Sequence, residues 1–126
     1  MIRGRFQCYV KDADGAIALY ERALDAKVLD LVRDPEGRVV HSELDVHGII
    51  LAVADRSLYN QEQDLPGNTM QFCLHFSKEE AALVEKAAAA MEEGGRVLFP
   101  LGPSFYCALM IDVIDPYGIR WCVFAE

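Results

Sequence analysis

Near the end of the chain, Arg120 and Cys122 sit two residues apart in IRWCVFA (119–125). Alternation along a strand sends Arg120, Cys122 and Phe124 to one face and Trp121, Val123 and Ala125 to the other. A thiol beside a guanidinium has the chemistry of an activated nucleophile, because a nearby cation favours thiolate. No motif around Cys122 supports that role, so it reads first as buried filler. The same alternation in MQFCLHF (70–76) gathers Gln71, Cys73 and His75 on one face. His75 reads as a hydrogen-bonded structural histidine. In VVHSELDV (39–46), His41, Glu43 and Asp45 share a face, as a general base and its orienting carboxylate would. A solvent-facing polar side of an edge strand explains that pattern more simply and is the preferred reading. His47, in a turn, is expected to be solvated, and no residue is assigned a catalytic role.

The four cysteines, Cys8, Cys73, Cys107 and Cys122, contain no pair at CxxC spacing. Each falls in an apolar strand-like run, which predicts free and mostly buried thiols rather than a zinc site.

Two repeats of one pattern must position these residues. RFQCYV (5–10) reads as a strand, and Asp12 or Asp14 caps a helix with Ile17, Tyr20 and Leu24 on one face. Apolar runs at 27–33, 38–46 and 49–54 follow, separated by DPEG (34–37) and His47-Gly48. The second half repeats β-α-β-β-β: a strand at 70–76, then a Ser77/Glu80 capping box that opens an Ala-rich helix ending at Gly94-Gly95. Runs at 96–101, 107–114 and 119–125 complete it. The modules are placed at about 1–55 and 70–126, joined by a polar linker over 56–69, and are expected to pack together within one domain or across a dimer. Trp121 is read as core against the second helix. FPLGPSFY (99–106) is read as a loop, and Tyr9, Phe105, Tyr106 and Phe124 as aromatics lining a binding cavity.

At 126 residues the chain suits one domain, and 52% hydrophobic with 25% charged residues describes a folded globular protein. The net charge of −8 and the lack of clustered Lys and Arg argue against nucleic acid as a partner. The longest apolar runs are too short to span a bilayer, and no basic stretch followed by an apolar one opens the sequence. Cytoplasm is the expected location, without membrane association.

The repeated order, with local motifs, resembles the vicinal oxygen chelate superfamily, which includes glyoxalase I, extradiol dioxygenases and the fosfomycin- and bleomycin-resistance proteins. AIALYERALDAKVL (16–29) resembles its first helix and second strand, with Asp25 where the family has glycine. DPYG (115–118), followed by Ile119, Arg120 and Trp121, resembles its last hairpin. His41, Asp55 and Trp121 look like features of the PhnB-like branch. The resemblance implies an α+β fold in which two βαβββ modules form an eight-stranded, incompletely closed barrel around a cleft, commonly as a homodimer.

It also implies a divalent metal held by His, Gln or Glu on the first and last strands of each module. Carried over strand by strand, those positions hold Arg5 or Gln7, then one of Leu51, Ala52 and Val53, then Gln71, and finally Cys122 where a glutamate is implied. Arginine cannot ligate, the aliphatic strand offers no donor atom, and a thiol suits hard oxygen chemistry poorly. The leading expectation is therefore a small-molecule-binding protein with no assigned reaction, no metal ligands and no cofactor. Its ligand-binding residues would be Gln7, Tyr9, Gln71, Cys73, His75, Phe105, Tyr106, Arg120, Cys122 and Phe124. The alternatives are a metal-dependent lyase or dioxygenase with unorthodox ligands, where a divalent metal would be the cofactor, and a dimeric interaction module.

Overall fold

The alternation of RFQCYV becomes strand β1 (Phe6–Val10), in which Cys8 and Val10 are buried while Gln7 and Tyr9 face outward. A computed structural model describes residues 1–59 and 70–126. After β1 come helix α1 (Ala13–Leu24) and strands β2 (Lys27–Arg33), β3 (Val39–Val46) and β4 (Ile49–Asp55). The second run comprises β5 (Phe72–Phe76), α2 (Ala81–Glu92), β6 (Arg96–Gly102), β7 (Leu109–Ile114) and β8 (Arg120–Ala125). The chain divides into two compact units, Met1–Asp64 and Leu65–Glu126. Each holds one helix and one open, mixed four-stranded sheet, so the fold is α+β. Of the expected linker, residues 56–58 form a short 3-10 turn, and 60–69 lie outside the described residues. Among the described residues, no helix is long and apolar enough to cross a membrane.

The strand order in the first unit is β1-β4-β3-β2, with β1 parallel to β4 and the other pairs antiparallel. This corrects the expectation for β3. It is an interior strand, because it pairs with β2 on one side and with β4 on the other, leaving β2 at the free edge. Helix α1 begins at Asp12, whose carboxylate accepts from the Gly15 amide at 3.1 Å. It buries Ile17, Leu19, Tyr20 and Leu24, and packs over β4 with β1 and β3 on either side. The helix ends at Asp25 in a left-handed conformation, φ +54°. That explains the family's preference for glycine here, and aspartate is among the few other residues that visit this region readily. Asp55 ties the end of β4 to two other elements. One carboxylate oxygen accepts from Ala13 N at 2.9 Å and the other from Val39 N at 2.6 Å. His47 and Gly48, both at positive φ, make the tight β3–β4 turn.

The second unit repeats the order as β5-β8-β7-β6. The capping box is formed: Glu80 accepts from Ser77 N at 3.0 Å, and the chain makes a 3-10 turn before α2. Helix α2 buries Val84, Ala87, Ala88 and Met91 and packs mainly over β7 and β8. Trp121 is 1% exposed, as its parity requires. Residues 99–106 are not one loop: β6 runs through Pro100 to Gly102, and only 103–108 leave the sheet. Proline is tolerated there because β6 is an edge strand and lacks a ladder partner on one side. Cys107 consequently lies in a loop rather than a strand, 3.1 Å from the Ser104 hydroxyl.

Candidate functional site

Across the second sheet, β5 and β8 run parallel with Cys73 opposite Cys122 and His75 opposite Phe124. Cys122 in turn pairs with Asp112 on β7, and Phe124 with Met110. Register therefore gathers Cys73, His75, Cys122, Phe124, Met110 and Asp112 on the face opposite Trp121 and Val123. Around Phe124 the aromatic groups are ordered. His75 stacks on it at 4.4 Å and 17°, and Tyr106 meets it edge-on at 5.6 Å. Phe105 packs edge-on against Tyr106 but is otherwise fully exposed. Gln71 reaches this face at its rim, where its amide lies 3.5 Å from Asp112 and its oxygen 3.7 Å from the Cys73 thiol.

Arg120 does not activate Cys122. Its guanidinium is bound bidentately by Asp112, Nε to Oδ1 at 3.0 Å and a terminal nitrogen to Oδ2 at 2.8 Å. His75 supplies no base to the thiol either, since its Nε2 faces Glu126 at 3.2 Å. Burial pushes the Cys122 thiol pKa up, partly opposed by the Tyr106 hydroxyl 3.8 Å away. A thiol held protonated is a poor nucleophile. Hydrogen bonding with Cys122, then burial and the surrounding thiols, pushes the Tyr106 phenol up to about 12.

In the first unit, Gln7, Ala52 and Glu43 line up across β1, β4 and β3. Gln7 folds back onto the Cys8 carbonyl at 3.2 Å, and the half-exposed Tyr9 packs on Tyr59 at 5.3 Å. Glu43 departs from expectation: rather than facing solvent, it is only 6% exposed. Arg3 grips it with two 2.7 Å bonds, His41 Nε2 lies 3.1 Å away, and Arg5 approaches to 3.6 Å. The Arg3 hydrogen bonds, then that of His41, hold the Glu43 carboxyl pKa below its ordinary value.

A depressed folded-state pKa means that this network adds stability above the unfolded value of about 4.3. That contribution is lost as pH falls through the lower folded value. Denaturant titrations from neutral to acid pH are expected to show wild type losing stability in this window. Glu43→Gln should begin less stable and lose less. Parallel pH profiles for the two proteins would contradict the assignment.

Asp112, Met110, Arg3 and Tyr59 join these faces without having been singled out in the sequence. Asp112 carried a signal, being the one charge inside the apolar run CALMIDVI. Arg3 carried none beyond its charge, because its partner is forty residues away.

The register also bears on the metal that the resemblance implies. Phe6 pairs with Leu51 as Phe72 pairs with Trp121, so Gln7 and Ala52 correspond to Cys73 and Cys122. With Gln7 on the first strand the fifth-strand counterpart is Cys73, and with Arg5 it is Gln71. One amide, one methyl group and two thiols do not fit a hard divalent ion that needs several nitrogen and oxygen donors. Among the described residues, no group of three or more His, Cys, Asp or Glu side chains is placed to hold a metal.

A model of the glyoxalase/bleomycin resistance protein/dioxygenase superfamily matches residues 3–123. The chain belongs to this superfamily. Solved structures of similar fold include a PhnB protein from Bacillus cereus described as a putative 3-demethylubiquinone-9 3-methyltransferase. It is 18% identical, with a TM-score of 0.81 over 98% of this chain and 99% of that one. The fosfomycin resistance protein FosX of Listeria monocytogenes is 15% identical, with a TM-score of 0.67 over 100% and 95%. A glyoxalase-related enzyme from Fulvimarina pelagi is 18% identical, with a TM-score of 0.69 over 100% and 89%. At such identities these likenesses establish the glyoxalase fold and carry no activity across. No curated protein matches the chain.

Proposed function

We propose that this glyoxalase-superfamily chain is a small-molecule-binding protein without the superfamily's usual metal chemistry, acting as a cytoplasmic homodimer. The observation that carries the reading is the open face of the second sheet. There the ordered aromatic cluster of His75, Phe124 and Tyr106 adjoins the Cys73–Cys122 pair, where hard metal donors would be required. Flat aromatic surfaces bordered by a few polar groups suit a planar organic ligand, and the net charge of −8 favours a cationic one. The fosfomycin resistance protein of similar fold is consistent with drug-sized ligands. Homodimerisation is supported by the apolar residues on both sheet edges. Leu29 and Val32 on β2 and Val97 and Phe99 on β6 are all 39–57% exposed.

A thermal-shift screen over planar cationic compounds, α-keto acids and thiol adducts, in the presence of a chelator, tests the proposal. At least one class is expected to stabilise the protein. Phe124→Ala should weaken that ligand about tenfold, the value of one lost aromatic contact. No stabilisation by any class, or an affinity indifferent to Phe124 and Tyr106, would overturn the reading. Sedimentation at micromolar concentration is expected to give the mass of a dimer, and a monomer would refute that part.

A further inference from the structure

We propose that Cys73 and Cys122, with the Met110 thioether beside them, form a binding site for a soft, thiophilic cation of the Cu(I) type. This goes beyond small-molecule binding and needs no organic ligand. The two cysteines are direct register partners on adjacent parallel strands, so their side chains leave the same face side by side. The Tyr106 hydroxyl touches both Cys122 Sγ at 3.8 Å and Met110 Sδ at 3.5 Å, which places a third sulfur on the same side. Cys73 is exposed and Cys122 buried, so an ion can enter past one ligand and be shielded at the other.

Thiolate and thioether donors select soft d10 ions, and hard divalent ions gain little from them. Binding needs no redox change: the ion replaces two thiol protons, forming two metal–sulfur bonds and releasing both protons to solvent. The resulting pair carries one net negative charge, and Arg120 stands two residues before Cys122 on the same strand.

Fully reduced, untagged protein should be titrated under anaerobic conditions into a coloured Cu(I)–bathocuproine disulfonate complex, with bleaching followed by absorbance. One equivalent of Cu(I) per chain is expected to transfer. Cys73→Ser should weaken binding about a hundredfold and Met110→Leu about tenfold, while Cys8→Ser and Cys107→Ser leave it unchanged. Cys73 is exposed, so its serine variant should keep the wild-type circular dichroism and melting point even if Cys122→Ser does not. Failure to withdraw copper from the chelator would overturn the site. So would transfer that Cys73→Ser leaves intact, or that Cys107→Ser abolishes equally. None of these outcomes bears on the ligand screen, which is run with chelator present.

Discussion

Replacing Trp121 with alanine is expected to lower the stability of the folded chain by about 3–5 kcal/mol. Trp121 is the largest fully buried side chain, and two interactions fix it. Its ring packs against Phe72 at 5.0 Å, and its indole nitrogen donates to Asp115 Oδ2 at 2.9 Å. The other oxygen of Asp115 accepts from the amides of Tyr117 and Ile119 at 2.9 and 3.0 Å. One buried carboxylate thus shapes the DPYG turn and anchors the indole of the strand that follows. Losing the ring opens a cavity and leaves Asp115 short of a donor. Trp121→Phe refills most of the cavity but not the hydrogen bond, and should cost about 1–3 kcal/mol. Urea unfolding measures both. A loss below about 1 kcal/mol for the alanine variant would show that the ring is not the anchor described.

Gly95→Ala should be the next most damaging change, at about 3 kcal/mol. The glycine joins α2 to β6, and its amide donates to Glu92 O at 3.2 Å. A methyl group there would collide with the Met91 carbonyl oxygen and sit 2.8 Å from that of Ile114. Both obstacles are backbone, one in α2 and the other at the end of β7, so neither can rotate away. Gly94 provides the internal comparison. Its φ of +76° disfavours a side chain, but the nearest atom to an added methyl is Pro116 Cγ at 3.5 Å. Gly94→Ala should therefore cost only the left-handed penalty, about 1–2 kcal/mol. If the two variants unfold at the same urea concentration, steric closure at Gly95 is not the reason for the glycine.

Most elements of both modules were legible because each is signalled locally. Alternation marks β1 and β5, Asp12 or Asp14 and the Ser77–Glu80 pair mark helix starts, and Asp115-Pro116-Tyr117-Gly118 marks the last turn. Sheet neighbours are not local information. The sequence of β3 suits an edge strand, yet β3 pairs with β2 on one side and β4 on the other, and its Glu43 is reached by Arg3 from forty residues away. Nor can alternation distinguish Gln71 from Cys73, because a two-residue slip keeps every side chain on its own face. The aromatic cluster was half visible. Tyr106, Phe124 and His75 could be grouped by parity and composition, but Asp112 and Met110 enter through β7, placed opposite Cys122 and Phe124 only by the hairpin register that the DPYG turn sets. Pro100 misled for a physical reason: it forbids a central strand yet is harmless on the edge that β6 occupies.

We propose that Arg5 or Gln7, the aliphatic fourth strand, Gln71 and Cys122 stand where a hard-metal donor set is implied, leaving a binding surface rather than a metal-dependent active site. Inductively coupled plasma mass spectrometry tests it on untagged protein dialysed against equimolar manganese, iron(II) and nickel and then freed of loose metal. Less than about one-tenth of an equivalent of each per chain is expected, because this set cannot replace most of an ion's hydration shell. One equivalent of any of the three, lost on Cys122→Ala or Gln71→Ala, would contradict the account and restore a metal-dependent enzyme.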